Sequence, residues 1–266
     1  MFTANKFKKL HSKIEFLPGM PISQFADQIW SELQTTKIVQ TIGVDLNIDL
    51  DHFWDLVSNT IGDCLLLSED SVTGKRIGQK WIEIRYDSRI QNAYRHSKNA
   101  QPLHTDGSYV GESPYISFFY CINQAAEGGA TVFLDSDELI NLLKQEDPTL
   151  LNDLCKTTVC FAKDQDFKCR PIIDFDADGA NLNFNYYCVD PNETDFAKEL
   201  VERLHQFLQT KVVAQDKTYP IKLNPGEAVF FHDDRLIHGR KSFTATKDSD
   251  RFFWKSALKL KSQINQ

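Results

Sequence analysis

Apolar positions change period along this chain. Over residues 22–34, Ile22, Phe25, Ile29, Trp30 and Leu33 recur at helical spacing and predict one amphipathic helix. Asp51 reads as the N-cap of a second helix carrying Phe53, Trp54 and Val57. The first 70 residues therefore read as mostly helical. From Trp81 onward the texture differs: Trp81-Ile82-Glu83-Ile84-Arg85 alternates as a strand does, and Tyr115 to Cys121 is a buried aromatic run. Gly128-Gly129 predicts a turn before a strand from Ala130 to Leu134. A helical insert follows over 136–145, and Asp147-Pro148 opens another, with proline at the first helical position. Further short strands are predicted at 157–162, 171–175, 182–188, 219–223, 227–231 and 251–260, with an amphipathic helix at roughly 192–209.

Many short strands punctuated by turns such as Asp178-Gly179 and Asn224-Pro225-Gly226 favour a sandwich or barrel over alternating βα units. The expected architecture is mainly β with flanking helices: a double-stranded β-helix, or jelly-roll, barrel over residues 76–260. No repeat or linker divides the chain, so residues 1–266 are expected to form a single domain. The 266 residues include 41% apolar and 12% aromatic side chains, enough for a sizeable core. A net charge of −7 argues against a nucleic-acid partner, which would call for a basic footprint. No run approaches the ~20 apolar residues of a membrane span. Lys6, Lys8 and Lys9 are not followed by an apolar stretch of signal-peptide length. The six cysteines contain no Cys-x-x-Cys pair and read as free thiols in a reducing cytosol. A soluble, cytoplasmic protein is expected, acting on a small molecule; a homo-oligomer is compatible with the sequence.

The candidate chemistry sits in Gln101-Pro102-Leu103-His104-Thr105-Asp106-Gly107-Ser108-Tyr109. Histidine and aspartate two positions apart at a strand end point to the same side, because side chains alternate with period two. A distant histidine can complete a three-ligand face, and Ile237-His238-Gly239-Arg240 offers one. Two histidines and a carboxylate with open positions form the ligand set of non-haem Fe(II) oxygenases. His232, six residues earlier, competes with His238 for the third place. Arg240 is a candidate anion binder or a structural salt-bridge partner.

Four motifs in order resemble the taurine dioxygenase superfamily: His104-x-Asp106, Glu127-Gly128-Gly129-Ala130-Thr131, His238-Gly239-Arg240 and the late Arg251. Within it, the segments 103–110, 170–179 and 236–244 are most similar to the carbon-starvation-induced glutarate 2-hydroxylase family, and the likeness spans roughly 76–258. The resemblance implies Fe(II) on His104, Asp106 and His238. It also implies 2-oxoglutarate held at its far carboxylate by Thr131 and Arg251, with O2 as co-substrate. A planar guanidinium suits a carboxylate because it offers two parallel N–H bonds. Four positions after the arginine, where taurine dioxygenase meets its substrate's anionic group, stands Lys255. Lysine keeps the charge without the fork, so an anionic substrate, a glutarate-like dicarboxylate or an amino acid, is expected. Tyr109, Arg95, Arg85 and Tyr187 are further candidates for the substrate pocket by analogy and strand placement. Asp106 speaks against a halogenase, in which chloride takes the carboxylate's position. Two other readings use the same residues: a non-catalytic jelly-roll that senses 2-oxoglutarate or metal, and a hydrolytic or zinc enzyme with the same ligands.

Overall fold

The computed structural model describes residues 6–70, 73, 75–90, 93–111 and 116–260. The N-terminal part holds β1 (Lys9–Glu15), α1 (Ile22–Leu33), β2 (Thr36–Ile42), α2 (Leu50–Ile61) and β3 (Gly62–Leu65). Next come β4 (Ile82–Arg85), β5 (Gln101–His104), β6 (Ile116–Asn123) and β7 (Thr131–Asp135). An insert follows: α3 (Ser136–Glu146), α4 (Pro148–Lys156), the hairpin β8 (Thr158–Lys163) and β9 (Asp166–Pro171), then β10 (Ile173–Asp176) and β11 (Gly179–Leu182). The chain closes with α5 (Asp195–Phe207), β12 (Tyr219–Ile221), β13 (Ala228–His232), β14 (Leu236–Arg240) and β15 (Phe252–Leu260).

Two sheets carry the fold. The larger runs β1-β2-β13-β6-β15-β3, with β4 also paired to β15, and the smaller runs β12-β7-β14-β5. The mainly β jelly-roll arrangement with flanking helices is as expected, but the sheets face each other without closing into one barrel. Alternation sorts each strand between two cores. On β6, Ile116, Phe118 and Tyr120 face α1 and α2, while Phe119 and Cys121 join Phe133, Val229, Phe231, Leu236 and Phe253 between the sheets. The outer face of the small sheet, through Leu103, Val132, Leu134 and Ile237, packs under α3, α4 and α5.

Several expectations need correction. The first 70 residues are not mostly helical: β1 and β2 pair in parallel, and β2 joins β13 in the large sheet. Six of the seven β2 residues are buried, so both faces are covered and the strand shows no alternation that a single sequence could display. The N-cap of α2 is Asp49, whose side chain accepts from the His52 N–H; Asp51 lies in the first turn and accepts from Trp81 Nε1. Only part of 182–188 is strand: β11 ends at Leu182 and a 3-10 turn covers Tyr186–Cys188. Tyr115 lies outside the described residues. The cysteines are not all free. Cys160 and Cys169 stand directly opposite in the β8–β9 register and are joined by a disulfide. The strand β9 was not anticipated, and without it the pairing could not be read. Cys64, Cys121, Cys155 and Cys188 are thiols. Among the described residues, no helix is long and apolar enough to cross a membrane.

Candidate active site

The site is built on the inward faces of both sheets at one end of the sandwich. His104 is the last residue of β5, and the register places it directly opposite His238 of β14. That pairing requires close backbone approach at Gly239, where a Cβ would lie 2.6 Å from the Gln101 carbonyl. Thr105 turns the other way, exchanging hydrogen bonds with the Phe184 backbone at 2.7 and 3.1 Å. The period-two expectation therefore holds, with His104 and Asp106 on one side and Thr105 on the other. The imidazole Nε2 atoms of His104 and His238 lie 3.6 and 3.7 Å from the two Asp106 oxygens. One ligand atom from each of the three residues falls within 4.8 Å of the others. His104 Nδ1 is 2.9 Å from the Pro102 carbonyl. A carbonyl only accepts, so Nδ1 carries the hydrogen and the Nε2 lone pair is left for a metal. Donor set, tautomer and spacing all fit one divalent iron.

Charge in the cluster is set by burial and by neighbours. Burial pushes His238 down to about 3 against the pull of Asp106, so its imidazole is neutral, as a ligand must be. Burial alone would raise Asp106; Lys255, then His238 and His104, more than offset it and hold the carboxyl well below the usual range. Lys255 Nζ lies 2.5 Å from Asp106 Oδ1, and Ser117 donates to Oδ2 at 3.0 Å. The lysine expected to meet a substrate anion is thus paired with the candidate metal carboxylate.

His104, Asp106, His238, Thr131, Arg251, Lys255, Tyr109 and Arg95 all line one cavity of about 1040 Å³. Thr131 starts β7 and is paired with Arg240 of β14. Arg251 precedes β15 and is only 4% exposed. Its Nε donates to the Gly129 carbonyl at 3.3 Å, and its guanidinium lies 4.0 Å from the Phe253 ring centroid. Gly129 has φ +73, and a Cβ there would press on the Arg251 side chain at 3.3 Å, so glycine makes room for the guanidinium. Among the described residues no carboxylate pairs with Arg251. Burial, then the nearby Arg240, lower its guanidinium to about 9, which leaves it cationic near neutral pH. An uncompensated buried guanidinium facing a cavity is a carboxylate receptor.

Other candidates separate clearly. Arg240 forms no salt bridge among the described residues: its Nη2 donates to the carbonyls of Tyr94, Ser97 and Asn99 at 3.0, 2.9 and 2.7 Å, tying that loop to β14. Arg95 donates to the Glu69 carbonyl at 3.0 Å, and the Tyr187 hydroxyl meets that of Tyr94 at 2.9 Å at the cavity mouth. Arg85 lies outside the cavity lining, over the outward-turned Phe252 and 3.4 Å from Glu83. His232 is excluded as a ligand: its Nε2 is 2.9 Å from the Leu33 carbonyl on the helix side of β13. Three contributors were not anticipated. Ser117 is a small polar residue inside the aromatic and aliphatic run 116–122 of β6, which was a readable signal. Gln101, with Nε2 3.2 Å from His104 Nε2, lies on the same short strand. Asp233 was visible only as a neighbour of His232. It accepts the backbone N–H groups of Asp106 and Gly107, each at 3.0 Å.

The fold and site together are a two-sheet jelly roll carrying a His-x-Asp and a distant histidine beside one cavity, a class of fold with a candidate metal centre. The particular family follows from comparison: residues 70–255 match the taurine catabolism dioxygenase TauD, TfdA family, and the chain belongs to it. It is 26% identical over 201 residues to the human (Homo sapiens) gamma-butyrobetaine dioxygenase, covering 69% of this chain and 52% of that protein. It is 27% identical over 184 residues to the mitochondrial trimethyllysine dioxygenase of Mus musculus, covering 63% of this chain and 42% of that protein. The chain thus spans about half the length of these two relatives or less. A solved asparagine oxygenase in complex with Fe(II), 2S,3S-3-hydroxyasparagine and succinate superposes with a TM-score of 0.69 at 14% identity, covering 90% of this chain and 80% of that one. The non-haem iron oxygenase OrfP in complex with Fe and alpha-ketoglutaric acid superposes with a TM-score of 0.64 at 12% identity, covering 91% and 80%.

Proposed function

We propose that this protein is an Fe(II)/2-oxoglutarate-dependent dioxygenase that hydroxylates an aliphatic C–H of a small anionic substrate. The observation that carries the reading is one cavity holding both the His104–Asp106–His238 cluster and the buried Arg251, which has no carboxylate partner among the described residues. A metal triad alone suits many reactions; a carboxylate receptor beside it calls for an oxoacid. In this reading residues 1–266 act as one domain around the cavity.

His104, Asp106 and His238 would hold the iron, and Arg251 with Thr131 would hold the far carboxylate of 2-oxoglutarate. When bound, iron with 2-oxoglutarate and O2 supplies oxidative decarboxylation to succinate and CO2, the second oxygen atom entering the substrate as hydroxyl. The protein's part is orientation and exclusion of water. His238 lies against Phe231, Phe119 and Phe133, with ring centroids at 4.9, 5.7 and 6.4 Å, so that side of the cluster is dry. Lys255 carries three N–H donors; one meets Asp106, which leaves others for a substrate anion. Tyr109 and Arg95 line the same space and would complete the substrate pocket. The likeness to the glutarate 2-hydroxylase family favours a dicarboxylate, while the curated relatives and solved neighbours, by their names, act on butyrobetaine, trimethyllysine and asparagine. A panel of dicarboxylates and amino acids, assayed for succinate with iron, 2-oxoglutarate and ascorbate, tests this. The expected result is succinate release stimulated by at least one member. Release by none, with no thermal shift from 2-oxoglutarate, overturns the proposal; silence from glutarate alone removes glutarate.

A further inference from the structure

His238 presents an unsolved problem on its far side. Its Nδ1 is buried and has no hydrogen-bond partner among the described residues. If Nε2 binds a metal, the neutral ring must carry its hydrogen on Nδ1. A buried N–H without an acceptor costs about 1–3 kcal/mol. An acceptor, Asp233 Oδ1, lies 3.8 Å away. Asp233 belongs to the turn between β13 and β14, five residues before His238, and is 2% exposed. Each of its oxygens accepts one backbone N–H, from Asp106 and from Gly107, both at 3.0 Å. A carboxylate offers about four acceptor sites, so two remain. Among the described residues no lysine or arginine forms a salt bridge with it. It is a buried carboxyl group held between the two halves of the candidate metal site, pushed up to about 8 by burial and then by the Asp106 charge, and both its ionised and its neutral form keep an oxygen that can accept an N–H.

We propose that Asp233 is the positioning residue of this metal centre, accepting the His238 Nδ1–H while its two backbone bonds hold the Asp106–Gly107 turn. The inference rests on the reading of His238 as an iron ligand. One side chain then sets the ring plane of one ligand and the backbone of another, on opposite sheet segments. Closing 3.8 Å to the ordinary ~2.7–3.2 Å of an N–H···O bond needs a ring shift below about 1 Å, which metal binding at Nε2 can impose. His104 has the Pro102 carbonyl for the same purpose. Both histidines are then fixed from behind, one by a backbone carbonyl and one by a carboxylate, which also makes His238 the more basic donor.

The test is Mn(II) affinity, measured for wild type and Asp233→Asn alongside the melting temperature of each without metal. Asparagine keeps the shape but places an N–H donor where an acceptor is needed. The expected result is tight binding by wild type and about 10–100-fold weaker binding by the variant, with a lower metal-free melting temperature, because asparagine can accept only one of the two backbone N–H groups. Equal affinities in two folded proteins overturn the inference and leave Asp233 as a turn cap. Failure of wild type to bind Mn(II) overturns the metal-site reading and this inference together. If Asp233→Asn does not fold, the wild type loaded with Co(II) decides by proton NMR. Two slowly exchanging, metal-shifted imidazole N–H signals are expected, one per histidine; a single signal, or a second one exchanging freely with water, contradicts the proposal.

Discussion

Between the same two sheets lie a dry aromatic layer and a charged cavity, and the boundary runs along individual strands. On β14, Leu236 is core, His238 a candidate ligand and Arg240 a loop clamp. On β15, Phe253 is core, while Lys255 and, just before the strand, Arg251 face the cavity, each two residues from Phe253. On β6, Phe119 packs in the layer and Ser117 donates to Asp106. All are inward positions with the same period; chemistry alone distinguishes them. The dry half shows how a jelly roll is held together. The charged half holds one buried guanidinium, Arg251, with no carboxylate partner among the described residues, and that shortfall is what supports reading it as a ligand site. The two are coupled, because the Phe231 layer walls the ring of His238.

The comparison breaks most visibly at Asp106. Asp106→Ala removes the anionic ligand, and substrate-dependent succinate formation should fall to background in a variant that remains folded; unchanged turnover would remove the triad assignment. Next is Arg251→Met, which keeps the stem and deletes the charge. Truncating one partner of a buried charge pair costs about 2–5 kcal/mol, so the KM for 2-oxoglutarate should rise roughly 30-fold or more with little change in melting temperature. An unchanged KM would place the oxoacid elsewhere. In the dry layer the opposite pattern is expected. Phe231→Ala should lower stability by about 3–5 kcal/mol, measured by denaturant unfolding of the metal-free protein, and weaken metal binding only through His238. A variant of normal stability would show that the layer is not the core.

The smallest effect tests the helix-facing side of β13, one residue from Phe231. Burial lowers His232 to about 4, whereas an unfolded histidine titrates near 6.5. Between those values the unfolded chain binds a proton that the native protein refuses, so this histidine's contribution is present above pH ~6.5 and is lost as pH falls toward ~4. In unfolding measurements, His232→Gln should therefore gain on wild type by up to about 1.4 kcal/mol per pH unit across that window. A constant difference between the two would contradict neutral burial of His232.

How much of this was legible depends on whether a feature is local. His104-x-Asp106 needs only the pleat of one strand, so its convergence could be read directly. His238 and Arg251 were legible through the order of motifs, with the register of β14 against β5 explaining why the two histidines meet. The strands β1 and β2 were not legible, since β2 is buried on both faces and shows no alternation. The Cys160–Cys169 bond depends on a hairpin register that residue types do not announce. Lys255 was found as a cation near the site, but its contact with Asp106 spans 149 positions and appears only in three dimensions. Asp233 is the same case: its partners lie 126 and 127 residues earlier.

The central claim is that one cavity binds iron through His104, Asp106 and His238 and 2-oxoglutarate through Arg251. It is tested most directly by visible absorption under anaerobic conditions, adding Fe(II) and then titrating 2-oxoglutarate into wild type and Arg251→Met. The account predicts the absorption band of an Fe(II)–2-oxoglutarate chelate in wild type, and in the variant the same band only at much higher 2-oxoglutarate. No band in folded, iron-loaded wild type, or identical titrations for the two proteins, would contradict it.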